Sequence, residues 1–283
     1  MKPRHDIYQT ITAELAAAID AGAGEWRMPW HHYGGTVMRP TSAAGRAYSG
    51  INRLVLWASA EARGFASGTW ATYRQWTDTG AQVRRGETGT HVILWKRQER
   101  DEPRSDDGEA DDRGSRFFAR SFVVFNKCQV DGADDAVTAT PTPMAYNVTE
   151  AKAYLEGVGI DVQYGPWDAH YRPDLDRIFM PAREAFHSDE ALVSTLGHEI
   201  VHGTGSANRL ARDTLRDYVK ERSIRAREEL VAEIGASFLM ADLGLAYSPR
   251  PDHAAYVASW LTALENDRRA IFRAAAAAQA ATD

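Results

Sequence analysis

Residues 195–205 read TLGHEIVHGTG and contain the pattern His-Glu-x-x-His. Because positions four apart lie on one face of an α-helix, His198 and His202 can present two imidazole nitrogens to one metal ion. Glu199 is rotated by one position, where its carboxylate can accept a proton from water activated by the metal. These residue types predict a zinc site of the kind that attacks a carbonyl group, although Mn²⁺ or Co²⁺ also suits the ligands.

A catalytic site of this kind needs a third protein ligand, and AREELVAEIGASFLMADLG offers candidates. Glu229 and Glu233 are one helical turn apart, so Glu229 can bind the metal while Glu233 accepts the outer ring N–H of a ligating histidine. The apolar neighbours predict a buried helix, in which carboxylates need partners. Glu228 remains the competing third ligand. Residues of a type that could stabilise an oxyanion are Tyr218, His253 and Tyr256.

The elements that must position these residues follow from local signals. The segment SDEALVSTLGHEIVHGTG predicts a helix with Ser188 as its N-cap and glycines after it. A helix (TEAKAYLEGVG), a strand (IDVQYG) and one short strand in YRPDLDRIFMP are expected before it. A second helix should run from about Lys220 to Leu243, and a last one from about His253 to the C-terminus.

The N-terminal half predicts a mixture of helices and strands. Helices are expected at Ile7–Ile19, in INRLVLWASAEARG with a stop at Gly64, and at Thr69–Trp76. Strands are expected in VRRGETGTHVILWKRQE and RFFARSFVVFNKCQV, joined by a flexible acidic insertion at 99–114. The low-complexity stretch 131–144 reads as a linker.

Composition and charge narrow the functional class. The 283 residues suffice for two modest domains, and no stretch approaches the ~18 consecutive apolar residues of a membrane span. The N-terminus lacks an uninterrupted apolar run, and the single cysteine excludes an intramolecular disulfide, so a cytoplasmic protein without a membrane partner is expected. Residues 1–130 hold 18 Lys and Arg against 15 Asp and Glu, whereas residues 131–283 hold 15 against 24. This asymmetry indicates two separate tasks.

Six of the eight tryptophans lie in residues 1–130, interleaved with basic residues. Aromatic faces stack unpaired bases and cations follow the phosphates, so this half favours single-stranded over duplex nucleic acid. Trp57, in an apolar helix, is expected in the core instead. The candidate DNA contacts are Trp26, Trp30, Tyr48, Trp70, Tyr73, Trp76, Arg84, Arg85, Lys96 and Arg97.

The order and spacing of short motifs resemble ArdC-like antirestriction proteins. GEWRMPW, GRAYSGINRLVLW, TWATYRQW and FVVFN are similar to their N-terminal domain, and DRIFMP, TLGHEIVHGTG and EELVAEIGA to their metallopeptidase domain. One local departure is Thr41-Ser42, where the family tends to have an asparagine.

The resemblance implies an α+β fold of two domains, with an N-terminal α+β single-stranded-DNA-binding domain at 1–130 and a C-terminal zincin-like (SprT-like) metallopeptidase domain at 145–283. It implies Glu229 as the third ligand, and Ile178–Met180 as the edge strand along which a peptide lies. The implied role is protection of incoming plasmid DNA from host restriction during conjugation. The implied partners are single-stranded DNA and a host protein such as a restriction component, which the protein would meet after delivery with the DNA to the recipient cell.

Three hypotheses remain open at this point. In the first, the protein is a DNA-guided metallopeptidase, whose activity is lost in Glu199→Ala. In the second, it is a DNA-binding antirestriction protein whose metal site is structural, so that Glu199→Ala retains protection. In the third, its acidic surface mimics DNA, so that deletion of residues 99–114 weakens protection and the protein binds no DNA.

Overall fold

The computed structural model describes residues 6–23, 39–97, 117–133, 147–245 and 254–283. Its helices are α1 (Ile7–Ala23), α2 (Ile51–Arg63), α3 (Tyr73–Asp78), α4 (Val148–Glu156), α5 (Asp189–Thr204), α6 (Asp213–Arg216), α7 (Arg222–Asp242), α8 (Ala254–Asn266) and α9 (Ala270–Thr282). Its strands are β1 (Thr41–Ser42), β2 (Thr69–Thr72), β3 (Gln82–Val83), β4 (Thr90–Arg97), β5 (Phe117–Asn126), β6 (Val130–Asp131), β7 (Asp161–Gly165), β8 (His170–Arg172) and β9 (Arg177–Pro181). This is the expected α+β architecture, and none of these helices is long and apolar enough to cross a membrane.

A four-stranded sheet of order β1-β2-β5-β4 forms the centre of the N-terminal half. Strands β4 and β5 are antiparallel from Thr90↔Val124 to Arg97↔Phe117, as expected for two strands joined by a long insertion. The acidic insertion itself, 99–114, lies outside the described residues. The first residues of the predicted linker are part of the fold, because Asp131 belongs to β6 and Ala133 is buried. Residues 134–146 lie outside the described ranges.

The prediction of one helix over Thr69–Trp76 was wrong in its first half. Residues 69–72 form β2 and pair with β5, as suits two threonines and a tryptophan. The helix starts only after Thr72, whose hydroxyl accepts from the backbone of Gln75 while the Gln75 amide oxygen accepts from the backbone of Thr72. This reciprocal capping box stops the strand and starts α3 within one residue.

The C-terminal sheet has the order β7-β9-β8, with β9 parallel to β7 and antiparallel to β8. The expectation that Ile178–Met180 form the edge strand was therefore wrong, because YRPDLDRIFMP contains two strands and not one. Asp176 makes the turn between them in a left-handed conformation, with a φ of 47°. Among the described residues β7 and β8 are the two edge strands, and the central strand β9 places Ile178 and Met180 in the core.

Helices α5 and α7 cross at the core of the C-terminal half. Helix α5 begins as predicted, with the Ser188 hydroxyl accepting from the backbone of Ala191. Gly235 on α7 faces Val201 on α5, and a Cβ at Gly235 would lie 2.8 Å from a Val201 methyl group. The expected last helix is divided into α8 and α9, with a break after Asn266.

The two halves share one hydrophobic cluster. Trp57 on α2 is buried there, as predicted, and contacts Phe238 on α7 edge to face. Arg53, also on α2 and fully buried, donates to the Asp242 carboxylate at 2.9 Å and to the Phe238 carbonyl at 3.0 Å. Burial lowers the pKa of Arg53 to about 10, although Asp242 opposes that shift. Helix α7, which carries the predicted metal ligands, is thus held by the N-terminal half.

Candidate metal centre

The structure brings the three predicted ligands together on α5 and α7. The Nε2 atoms of His198 and His202 are 3.2 Å apart. A Glu229 carboxylate oxygen lies 3.4 Å from His198 Nε2, and the other lies 3.8 Å from His202 Nε2. All three residues are buried, and one donor atom from each falls within 4.8 Å of the others. Two nitrogens and one carboxylate oxygen facing a common point fit a divalent ion such as Zn²⁺.

Two further glutamates lie behind the histidines. Glu233 has a carboxylate oxygen 3.8 Å from His198 Nδ1, on the side where it was predicted to orient that ring. His202 Nδ1–H donates to Glu228 at 3.2 Å. Glu228 therefore sits on the outer nitrogen of His202, away from the three facing donors, which favours Glu229 over Glu228 as the third ligand.

Arg212 completes this arrangement and has no counterpart in the sequence-based expectation. Its guanidinium binds both Glu228 oxygens, at 2.6 and 3.2 Å, and donates to the Val201 carbonyl at 2.5 Å. It thus caps the end of α5 and fixes the carboxylate that holds His202. Gly205 leaves room for this side chain, since a Cβ there would lie 2.6 Å from the guanidinium. An arginine in an irregular segment has no periodicity, so no sequence signal identified it.

The electrostatics of the site favour cations between the carboxylates. Burial alone would lower the pKa of His202, but hydrogen bonds to Glu228 and Glu229 outweigh it and raise that pKa to about 10. The pKa of His198 is raised as well, since Glu229 and Glu233 outweigh its burial. Burial alone would raise the pKa of Glu229, but the two histidines hold it well below its usual range. The site therefore binds protons strongly, and a divalent ion would compete with them.

A cavity of about 870 Å³ opens onto the three donors. Glu199 lines it beside the histidines, with its side chain buried. The Tyr218 hydroxyl, also on the wall, donates to Glu229. Its ring lies 6.1 Å from the His202 ring, so Tyr218 is the candidate oxyanion residue that the structure places in the cavity. His253 lies outside the described ranges, and no side chain is described for Tyr256.

The predicted DNA contacts fall into three groups, of which the first is buried. Trp70 is 1% exposed and packs between α2 and the N-terminal sheet, in contact with Phe65. Trp76 is 0% exposed and donates its indole N–H to the Phe125 carbonyl at 3.0 Å. The prediction that these two rings stack on bases was therefore wrong for this structure, because both are needed as core.

The second group is accessible. Tyr73 is half exposed and lies edge-on against Phe125 at 6.4 Å, and Arg85 is exposed. Tyr48 is partly buried, and burial raises its pKa to about 12. Arg84 is exposed but engaged, since it donates to the Cys128 carbonyl and pairs with Glu87 at 2.9 Å.

The side chains of the third group lie outside the described part of the structure. Trp26 and Trp30 lie outside the described residues, and only the backbone of Lys96 and Arg97 is described, at the end of β4.

Comparison with known proteins follows the same division into two halves. Residues 5–125 match the N-terminal domain of anti-restriction factor ArdC, and residues 149–277 match a zincin-like metallopeptidase domain. The chain belongs to the ArdC antirestriction family. The structure is similar to the metal-free crystal structure of antirestriction protein ArdC from plasmid R388, with 36% identity and a TM-score of 0.79, covering 98% of this chain and 96% of that one.

Further relatives are similar over nearly the whole of this chain. The Mn(II)-bound crystal structure of the R388 protein matches equally well, with 37% identity and a TM-score of 0.79, over 98% of this chain and 96% of that chain. Protein y4eC of Sinorhizobium fredii, of uncharacterised function, is 42% identical over 98% of this chain and 91% of its own length. DNA primase TraC of Escherichia coli is 34% identical over 99% of this chain, which spans 20% of TraC.

Proposed function

We propose that this ArdC family member binds single-stranded DNA through its N-terminal half and protects incoming plasmid DNA from host restriction during conjugation. In this proposal a metal-dependent peptidase centre in the C-terminal half acts on a host protein, such as a restriction component, in the cytoplasm. The observation that carries the proposal is the convergence of His198, His202 and Glu229 at a cavity that also contains Glu199. Membership of the ArdC antirestriction family supports the proposed role.

The residues that would hold the ion are His198, His202 and Glu229, with Zn²⁺ as the expected metal and Mn²⁺ or Co²⁺ as alternatives. When bound, the ion would polarise a carbonyl group and lower the pKa of water. Glu199 would accept the proton of the attacking water and pass it to the leaving amine. Tyr218 would turn its single O–H from Glu229 to the oxygen that becomes negative. Glu228, Glu233 and Arg212 would keep the histidines in position.

The access to the centre favours a catalytic over a structural site. Structural zinc sites are closed by four protein ligands, whereas catalytic sites keep a position open. Three protein donors facing a cavity of about 870 Å³ fit the second description. The alternative is that the site only stabilises α5 against α7, and protection then comes from DNA binding alone.

A protein substrate would reach the centre along β8. β8 is one of the two edge strands of its sheet among the described residues, and Ala169, His170 and Tyr171, at this edge, line the cavity. Such an edge can pair with an extended peptide. The peptide would then lie at the wall of the cavity that Glu199 and the histidines also line.

The peptidase part is tested by incubating the protein with a peptide library and Zn²⁺ or Mn²⁺. Cleavage by the wild type, lost in Glu199→Gln with metal affinity retained, supports hydrolysis at this centre. Equal cleavage by Glu199→Gln would show that hydrolysis does not depend on Glu199 and would contradict this part of the proposal.

The DNA-binding surface is proposed around Tyr73 and Arg85, with Tyr48, Lys96, Arg97, Trp26 and Trp30 as further contacts. Tyr73 offers an exposed ring for base stacking, which contributes ~1–3 kcal/mol per base. Tyr73→Ala and Arg85→Ala should weaken binding to labelled single-stranded DNA, and Arg85→Ala should also reduce the salt dependence. Arg74→Ala is the control, since Arg74 pairs with Asp78 on the same helix as Tyr73. Equal affinity of the wild type for single-stranded and duplex DNA would contradict the stacking argument.

A further inference from the structure

Three aromatic rings lie together on the outer face of the C-terminal sheet, beside the metal cavity. Phe179 points away from the core, since its neighbours Ile178 and Met180 are the buried residues of β9. The His170 ring stacks on Phe179 at 5.2 Å with an interplanar angle of 13°, and the Trp167 ring meets it edge-on at 5.6 Å. We refer to Trp167, His170 and Phe179 as the aromatic shelf.

The shelf is held rigidly in place. His170 and Phe179 are directly paired across β8 and β9, so their side chains share a face of the sheet. His170 Nδ1 is also 2.7 Å from the Asp168 carbonyl. Gly165 makes room for the indole, because a Cβ there would lie 2.5 Å from Trp167 Nε1. Trp167 nevertheless remains 38% exposed, so a large apolar ring is held at the surface.

The aromatic shelf adjoins the cavity of the metal centre. His170 belongs both to the shelf and to the cavity wall, and it lies on the edge strand β8. In a strand added to β8, side chains alternate between the two faces of the sheet. Every second side chain of an added peptide would therefore lie on the same face as the shelf. The peptide residue opposite His170 would contact the rings of the shelf.

The charges nearby favour an uncharged side chain there. The two arginines on this face are already paired: Arg172 with Asp174 at 2.6 Å, and Arg177 with Asp161 at 2.5 Å. Both arginines thus already have carboxylate partners, and an apolar group would bury against the rings.

From this geometry we propose that the aromatic shelf is a specificity subsite that takes an aromatic or large aliphatic side chain of an extended peptide paired with β8. The inference rests on the proposed peptidase function and narrows its substrate class. Aromatic contacts of this kind contribute beyond area burial, so losing one ring should weaken peptide binding about two- to tenfold.

The test measures binding separately from cleavage. A phage-displayed library of random peptides is selected on Glu199→Gln protein loaded with Mn²⁺, and the Kd of the selected peptides is measured. We expect enrichment of aromatic or large aliphatic residues at one position, and a two- to tenfold rise of Kd when Trp167→Ala or Phe179→Ala is added. Trp167→Phe should restore most of the affinity, and Leu175→Ala, which removes an exposed side chain from the same hairpin, should leave it unchanged.

Two outcomes would overturn the proposed subsite. In one, the Kd is unchanged in Trp167→Ala and Phe179→Ala; in the other, the library yields no peptide or selects charged residues only. Folding is controlled by thermal unfolding and Mn²⁺ affinity, which these surface variants should retain. If the wild type fails to cleave the selected peptides while the shelf variants still weaken binding, hydrolysis is refuted and the subsite stands.

Discussion

Glu228 and Glu229 are adjacent in sequence and occupy opposite sides of His202. Glu229 approaches the ring nitrogens that face the common point, and Glu228 binds the outer nitrogen together with Arg212. The sequence supported both as third ligands because a one-residue rotation on a buried helix cannot be resolved from spacing alone. Only the direction of the α5–α7 crossing separates them.

The two glutamates should therefore differ in their effect on metal affinity. Glu229→Gln removes a charged donor and should nearly abolish Zn²⁺ or Mn²⁺ binding in a calorimetric titration. Glu228→Gln leaves the donors in place and should cost about 10–100-fold, as for other residues that orient a ligand. A larger loss in Glu228→Gln than in Glu229→Gln would reverse the assignment.

Metal uptake should release protons at neutral pH. The pKa of His202 is raised to about 10 and that of His198 is raised, so both rings hold protons that a divalent ion must displace. The apparent metal affinity should therefore rise with pH from 7 towards 10. Titrations in buffers of different ionisation enthalpy count the protons, and the expectation is at least one per ion. Uptake without proton release would contradict the hydrogen-bond arrangement.

At the scale of elements, the patterns that repeat along a helix were predictable. The bounds of α2 and α5, their caps and the burial of α7 follow from apolar periodicity and from Ser188 and Gly64. The tryptophan-rich stretch was less predictable. Its aromatic and basic residues are typical of a surface that stacks bases, and yet Trp70 and Trp76 are buried in the core. Composition does not indicate which side of a strand or helix a ring faces. Strand order in YRPDLDRIFMP likewise depends on a turn at Asp176 that has no glycine.

The crossing of α5 and α7 depends on Gly235. Alanine has the higher helix propensity, by about 1 kcal/mol, but its Cβ would meet Val201 at 2.8 Å. We expect Gly235→Ala to lower the free energy of unfolding by about 1–3 kcal/mol and to weaken metal binding, because α7 carries Glu229. Urea denaturation and metal titration measure these effects. Adding Val201→Ala to the Gly235→Ala protein should recover part of the stability and part of the metal affinity. A Gly235→Ala protein more stable than the wild type would show that the contact with Val201 does not outweigh helix propensity.

At the scale of the molecule, Arg53 ties the N-terminal half to the metal helix. Its guanidinium lies 4.6 Å from the Trp57 ring and 4.4 Å from the Phe238 ring, and it pairs with Asp242. The side chain of Asn52, the preceding residue, bonds the backbone of Ile93 on β4 in both directions, at 2.7 Å each. Helix α2 thus connects the sheet of the N-terminal half with α7.

Loss of the Arg53–Asp242 pair should destabilise the whole chain. Arg53→Met leaves Asp242 with Arg39 at 3.5 Å and removes the Arg53 donor from the Phe238 carbonyl, so it should lower the free energy of unfolding by about 1–3 kcal/mol, measured in urea. Arg53→Met with Asp242→Leu should be less destabilised. The control is Arg74→Met, which removes an exposed ion pair on α3 and should have little effect on stability. Equal stability of Arg53→Met and the wild type would show that the two halves are not coupled there.

Conjugation into a restricting recipient tests the central claim most directly. The efficiency of plasmid transfer is compared between donors that carry the wild-type protein, Glu199→Ala and His198→Ala, with transfer into a non-restricting recipient as the control. The account predicts that the wild type protects the incoming DNA, and that Glu199→Ala loses protection although it still binds metal and single-stranded DNA. Protection by Glu199→Ala equal to that of the wild type would contradict it, and would assign protection to DNA binding with a structural metal site.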